Sequence, residues 1–203
     1  SSSPTLMGQQ TMQEIIKLFN MKKIVSFLFI LFTVSPVFSQ ENEKFDWSRP
    51  MLGKKAPALD VKEWITEKPE TTGKFIVLDF WATFCGPCVK FTPHMNEFAK
   101  KFKKHAVFIA IATQAKADVE KGIRNIQEMK KKTNEKYVPI KFYQATDPRY
   151  KLFSAYQGEG IPMVIIIDPS GIVRWQGNPH GEDGNPALTE KIIKEIIAKY
   201  KNK

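Results

Sequence analysis

Metal-binding side chains are scarce in this sequence: its 203 residues include only two cysteines, Cys85 and Cys88, and three histidines. Zinc sites usually combine cysteine, histidine or carboxylate ligands at regular spacings. The histidines, His94, His105 and His180, show no spacing that would complete a site with the cysteine pair. The sequence therefore predicts no metal site, and no cofactor apart from the cysteine pair itself.

No apolar run in the sequence reaches the length of a membrane-spanning helix. Such a helix needs about 20 apolar residues, whereas the run at residues 24–34 stops at a serine and a proline. Two lysines precede this run and permissive residues follow it, which is typical of a secretory signal peptide over residues 21–39. We expect cleavage between Ser39 and Gln40 and export to the periplasm or cell envelope, with an uncleaved N-terminal membrane anchor as the alternative.

The sequence also lacks the pattern of a nucleic-acid-binding protein, although lysine and arginine outnumber aspartate and glutamate by 31 to 21. Its lysines are scattered along helix-like segments such as residues 100–104 and 130–132, with no interleaved aromatic residues. We interpret them as solvated helix faces and expect no nucleic-acid partner. Attraction of acidic partners or of a membrane surface is the alternative.

The chain divides by composition into four parts. Residues 1–20 are polar and irregular, and we interpret them as a tag or an upstream extension. They are followed by the signal peptide at 21–39, a charged linker at 40–51 and a domain at 52–203. The chain as a whole is 42% hydrophobic and 26% charged, which is typical of a globular protein and excludes a disordered one.

Strand and helix patterns alternate within the domain. The predicted elements are, in chain order, strand 75–81, helix 87–104, strand 106–112, a helix with Val119, Ile123, Ile126 and Met129 facing inward, strand 139–143, a helix begun by Asp147, a hairpin over 163–175, and a last helix opened by Asn185 and Pro186. This order predicts an α/β fold with a central mixed β-sheet flanked by helices on both faces. We expect a monomer.

The cysteine pair lies in the stretch CGPC between a predicted strand and a predicted helix. A bridge between Cys85 and Cys88 closes a loop too short to stabilise the fold appreciably, so the spacing favours thiol-disulfide exchange. At the helix N-terminus the dipole would stabilise the thiolate of Cys85, the attacking nucleophile. Cys88 lies one turn further on and would be more buried, and it would resolve the mixed disulfide. Gly86 permits the tight turn and Pro87 starts the helix.

An acidic residue interrupts the apolar strand FIVLDFW. Burial of an ionised carboxylate is costly, so the pKa of Asp79 should be raised. A buried acid six residues before Cys85 could accept the proton of Cys88 when that thiol attacks the mixed disulfide. The alternative is that Asp79 points to solvent or caps the following turn.

The residues around the cysteine pair resemble a known superfamily. The stretch WATFCGPC, with Pro93 five residues after Cys88 and Ile161–Pro162 ahead of the strand MVIIID, closely resembles the thioredoxin superfamily. The signal peptide, the LGKKAP segment and the IPMVIIIDPSGIV hairpin resemble the exported TlpA-type thiol-disulfide oxidoreductases. The resemblance covers Leu52 to the C-terminus and implies a thioredoxin fold.

The resemblance also implies a substrate surface. By it, Pro162 is a cis-proline beside the dithiol, where the backbone of Ile161 can pair with an extended substrate strand. We expect the substrate-binding residues to be Trp81, Phe84, Gly86, Pro87, Ile161 and Pro162. For Trp81 and Phe84, which flank the cysteine pair, ordinary packing is the alternative. Many exported members carry a glutamate three residues after the second cysteine, where this chain has Phe91, while Asp79 matches the buried aspartate of thioredoxin itself.

The Gly-Pro pair between the cysteines resembles reducing thioredoxins, which have potentials near about −270 mV, and favours a protein-disulfide reductase. An exported reductase implies a membrane-embedded reductant as partner. A disulfide oxidase or isomerase, and a peptide-binding module without turnover, are the alternatives. A peroxidase of the peroxiredoxin type is disfavoured because Leu78 and Ala82 occupy the positions of its proline and threonine. The loop HGEDGNP at 180–186 is interpreted as a turn rather than a site.

Overall fold

The computed structural model describes residues 50–61, 63–182 and 185–201. The predicted extension, the signal peptide and most of the linker lie outside the described residues. Among the residues described, no helix has the length and apolar character needed to span a membrane.

Six strands and four helices are formed by the described residues. In chain order they are β1 (Glu63–Trp64), β2 (Phe75–Trp81), α1 (Gly86–Phe102), β3 (Ala106–Ala112), α2 (Lys116–Lys132), β4 (Tyr143–Thr146), α3 (Lys151–Ala155), β5 (Met163–Ile167), β6 (Val173–Gly177) and α4 (Glu190–Tyr200).

The strands form one mixed sheet in the order β1-β4-β3-β2-β5-β6. Strands β2, β3 and β4 are parallel, whereas β1, β5 and β6 run antiparallel to their neighbours. Strand β2 is hydrogen-bonded on both sides, to β3 and β5, which agrees with its almost uninterrupted apolar sequence. The residues that follow β2 therefore start from a fixed position at the C-terminal end of a central strand.

Each face of the sheet has its own apolar core. Val77 of β2 packs with Phe91 and Met95 of α1 and with residues of α4 on one face. On the other face Phe80 packs with Phe153 of α3. Successive side chains of a strand point to opposite faces, and helices cover both. The predicted mixed sheet flanked by helices on both faces is confirmed.

Several predicted boundaries differ from those observed. The predicted strand at 139–143 is displaced to β4, and Met129, predicted to face inward, is 56% exposed. The last helix begins at Glu190 rather than at Asn185 because Thr189 supplies its cap, accepting the backbone N–H of Ile192 at 3.3 Å.

Asp147 caps α3, as predicted, but lies four residues before its first residue. Its carboxylate accepts the backbone N–H groups of Lys151, Leu152 and Phe153 at 2.8 to 3.0 Å.

Candidate active site

The cysteine pair lies where β2 ends and α1 begins. Cys85 is the N-cap residue of α1, and its Sγ accepts the backbone N–H of Cys88 at 3.2 Å. Pro87 stands in the first turn, where a missing N–H costs nothing. The two cysteines form a disulfide with a Cα–Cα distance of 5.3 Å. The predicted position of Cys85 at the helix N-terminus is thus confirmed.

The loop before Cys85 is fixed by residues that follow β3. Gln114 Oε1 accepts the backbone N–H of Thr83 at 2.7 Å and the Thr83 hydroxyl at 3.0 Å. Thr113 donates its backbone N–H to the carbonyl of Trp81 at 3.0 Å. On α2, Gly122 lies so close to Thr83 that a Cβ at that position would overlap the threonine side chain. No local pattern in the sequence indicates these contacts.

Both cysteines are buried in the disulfide form, with Cys85 7% and Cys88 5% exposed. Cys88, predicted to be the more buried of the two, is therefore only slightly more buried than Cys85 in the disulfide form. Of the two flanking aromatic residues, Trp81 is 4% exposed and packs with the cysteines beneath the surface, whereas Phe84 is 72% exposed. Phe84 is thus the aromatic side chain that a partner protein could contact directly.

Asp79 is buried in the central strand, so the alternatives of a solvent-exposed or turn-capping side chain are wrong. By the alternation of β2 it lies on the same face as Val77 and Trp81, and Trp81 packs against the dithiol. Neither a hydrogen bond nor an ion pair joins its carboxylate to any described residue. Burial raises the pKa of Asp79 to about 7, so this group can bind or release a proton near neutral pH.

The Ile161–Pro162 peptide bond is cis, as the resemblance implies. Ile161 packs against the cluster that contains Trp81 and both cysteines, so the fold brings this segment beside the dithiol. Pro162 is buried. No described residue forms a hydrogen bond with the backbone N–H or C=O of Ile161. Gly86 and Pro87, the residues between the cysteines, are exposed.

The loop predicted to be only a turn contacts the CGPC stretch. His180 Nε2 lies 3.0 Å from the carbonyl oxygen of Pro87, and its ring meets that of Phe91 edge to face with centroids 5.0 Å apart. Phe91 is itself buried. His180 and Pro87 are 93 residues apart in the chain, and no sequence pattern pointed to their contact.

Within residues 50–61, 63–182 and 185–201, no group of three or more histidine, cysteine or acidic side chains is arranged to hold a metal ion.

Similar proteins were found at the levels of family, sequence and structure. Residues 52–176 match the AhpC/TSA family. The thiol-disulfide oxidoreductase ResA of a Bacillus cereus strain is 32% identical over 145 residues, which span 70% of this chain and 75% of the relative.

Two solved structures have similar folds. A protein assigned as the thiol:disulfide interchange protein DsbE of Chlorobium tepidum aligns with a TM-score of 0.51 and 27% identity, over 72% of this chain and 96% of that protein. The thioredoxin domain of a thiol-disulfide oxidoreductase from Bacteroides vulgatus aligns with a TM-score of 0.52 and 20% identity, over 73% and 96%. The thioredoxin fold predicted from the sequence is thus confirmed.

Proposed function

The chain belongs to the AhpC/TSA family of thioredoxin-like proteins, and from this membership and its dithiol site we propose that it catalyses thiol-disulfide exchange with protein substrates. The observation that carries the proposal is Cys85 at the N-cap of α1, with its sulfur accepting the N–H of Cys88. The same N–H and the helix dipole would stabilise a thiolate at this sulfur in the reduced protein. ResA and DsbE, to which the chain is similar, bear names of the same activity class.

The exchange proceeds in two displacements. The Cys85 thiolate attacks one sulfur of a substrate disulfide, forms a mixed disulfide and expels the other substrate sulfur as a thiolate, which takes a proton from water. Cys88 then loses its proton to the Asp79 carboxylate and attacks the Cys85 sulfur, so that the second substrate sulfur leaves. Two electrons pass to the substrate, and the protein is left with its own disulfide.

The substrate enters as an extended strand beside Pro162, paired with the open backbone of Ile161. Phe84 provides an apolar contact at the surface, and the exposed residues Gly86 and Pro87 let a partner approach the Cys85 sulfur closely. Trp81 supports the dithiol from below.

The direction that we propose is reduction of the substrate, because the Gly-Pro pair resembles that of reducing thioredoxins. The protein acts after export directed by residues 21–39, as a monomer, and receives its electrons from a membrane-embedded reductant. The reduction potential measured against glutathione tests the direction: a value well above about −200 mV would contradict reduction and indicate an oxidase or isomerase.

The exchange itself is tested with the Cys88→Ser variant. It retains the nucleophile but cannot resolve, so it should accumulate mixed disulfides with protein substrates, while Cys85→Ser should trap none. Wild-type protein should reduce insulin with dithiothreitol as electron donor. If neither trapping nor insulin reduction is seen, the peptide-binding module is the better description. Peroxide consumption at a rate above that of insulin reduction would instead favour a peroxidase.

A further inference from the structure

We propose that His180 is a positioning residue of the dithiol site, whose protonated ring favours the Cys85 thiolate through its hydrogen bond to the Pro87 carbonyl. The bond is 3.0 Å long and joins the ring to the CGPC stretch itself. A carbonyl oxygen can only accept, so His180 Nε2 must carry the hydrogen. This inference rests on the proposed role of Cys85 as nucleophile.

The loop that carries His180 is held in place by its own hydrogen bonds. Asn178 Oδ1 accepts the backbone N–H of His180 at 3.0 Å, and Asn178 Nδ2 donates to Glu182 Oε1 at 2.7 Å. Gly181, whose φ of +86° suits glycine, donates its N–H to the Asn178 carbonyl at 3.0 Å. The position of the imidazole over α1 is thus set by a tight turn.

A second histidine provides an internal comparison. His94 also contacts Phe91, with ring centroids 5.3 Å apart, against 5.0 Å for His180. Both side chains are exposed on the same side of α1. Only His180 is hydrogen-bonded to Pro87, so the two rings differ in the contact on which the inference rests.

The electrostatic effect follows from where the charge lies. A cation bonded to a carbonyl of the first turn of α1 adds its positive potential to that of the helix N-terminus, where Cys85 is the N-cap. It would therefore stabilise the Cys85 thiolate. The coupling is reciprocal, since a thiolate at Cys85 favours the protonated ring. Imidazole is the side chain whose charge changes most readily between about pH 5 and 8, so we expect the effect to be larger at acidic than at alkaline pH.

Other charged groups face the same region. His94 and Glu190 line a cavity with His180 between α1 and the start of α4, and Glu190 is paired with Lys101. Glu182 lies in the loop itself. Both glutamates are present in every variant compared, as is Asp79, whose pKa is raised by burial to about 7. Differences between the variants therefore report on the histidines.

The test measures the thiolate fraction of Cys85 by its ultraviolet absorbance in the Cys88→Ser background of the full chain. His180→Gln keeps an N–H donor but cannot become charged. Because a charge near a helix end changes such equilibria by a factor of about two to five, we expect about threefold less thiolate at about pH 5.5. At about pH 8.5 the two proteins should agree.

The matched control is His94→Gln, which should leave the thiolate fraction unchanged at both pH values. His180→Arg, which is charged throughout, should keep the wild-type fraction at about pH 5.5. An unchanged fraction in His180→Gln, or an equal loss in His94→Gln, would overturn the inference. Peptide mapping after alkylation of the reduced dithiol separates the two proposals. If Cys88 is alkylated first, Cys85 is not the nucleophile and the proposed function is contradicted. If Cys85 is alkylated first, at a rate that is the same with and without His180, only this inference is refuted.

Discussion

Replacing Asp79 by asparagine should stabilise the protein at alkaline pH and slow its redox chemistry. The carboxyl is buried, and its pKa is raised by burial from an ordinary 3.8 to about 7. An acid whose pKa is higher in the folded than in the unfolded state binds its proton more tightly when folded. Its contribution to stability is therefore full below about pH 4 and is lost as the pH rises to about 7.

The magnitude follows from the two pKa values. A difference of roughly three pH units at 1.36 kcal/mol each gives an upper limit of about 4 kcal/mol for the cost of ionised Asp79 above pH 7. An asparagine side chain cannot ionise, so Asp79→Asn should be more stable than the wild type by about 2–4 kcal/mol at about pH 8. At about pH 4, where wild-type Asp79 is also neutral, the two proteins should differ by less than about 1 kcal/mol.

Urea unfolding of the oxidised protein across this pH range measures the difference. Asp168→Asn is the matched control, because Asp168 is also buried but is paired with Arg174 at 2.6 Å and accepts the N–H of Ile172 at 3.0 Å. Loss of that pair should destabilise the protein. A stability difference between wild type and Asp79→Asn that does not grow from about pH 4 to 7 would refute the account of Asp79 as a buried, unpaired acid.

The same variant tests the proton-transfer role. If Asp79 accepts the proton of Cys88, Asp79→Asn should resolve the mixed disulfide at least about tenfold more slowly at neutral pH. The inflection near pH 7 in the wild-type resolution rate should also disappear. If Asp79→Asn resolves the mixed disulfide at the wild-type rate but shows the expected gain in stability, Asp79 is a buried acid that takes no part in catalysis.

Two further predictions concern the loop before Cys85 and the surface beside it. Alanine at Gly122 would overlap Thr83, so Gly122→Ala should lower the free energy of unfolding in urea by about 1–3 kcal/mol, despite the better helix propensity of alanine. The double variant with Thr83→Ala should recover most of this loss. A Gly122→Ala protein more stable than the wild type would contradict the close approach. Phe84 is 72% exposed and would contact only a protein substrate, so Phe84→Ser should raise the KM for insulin several-fold. The rate with a small aromatic disulfide and the reduction potential should stay unchanged. An equal loss of activity on both substrates would argue for a structural role.

Much of the fold followed from local sequence patterns. Strands β2 and β3 are apolar runs bounded by polar residues, and α1 begins after Cys85 with a proline in its first turn. The last helix was placed too early because Asn185 and Pro186 form a plausible local start. In the fold the backbone of Asn185 pairs with that of Glu182, and Thr189 takes the cap. Local sequence signals cannot show which of two possible N-cap residues is used when contacts in the folded chain decide between them.

The sequence by itself identified the chemical groups of the candidate site: two cysteines one helical turn apart, a carboxyl within an apolar strand, and a proline ahead of a hairpin strand. These are short-range features, because strand, turn and helix here are set by neighbouring residues. Only the tertiary structure decided what surrounds the dithiol. Gln114 reaches Thr83 across 31 residues, and His180 reaches Pro87 across 93. Such contacts depend on how the loops pack against the sheet and α1, and a single sequence carries no periodic signal for them.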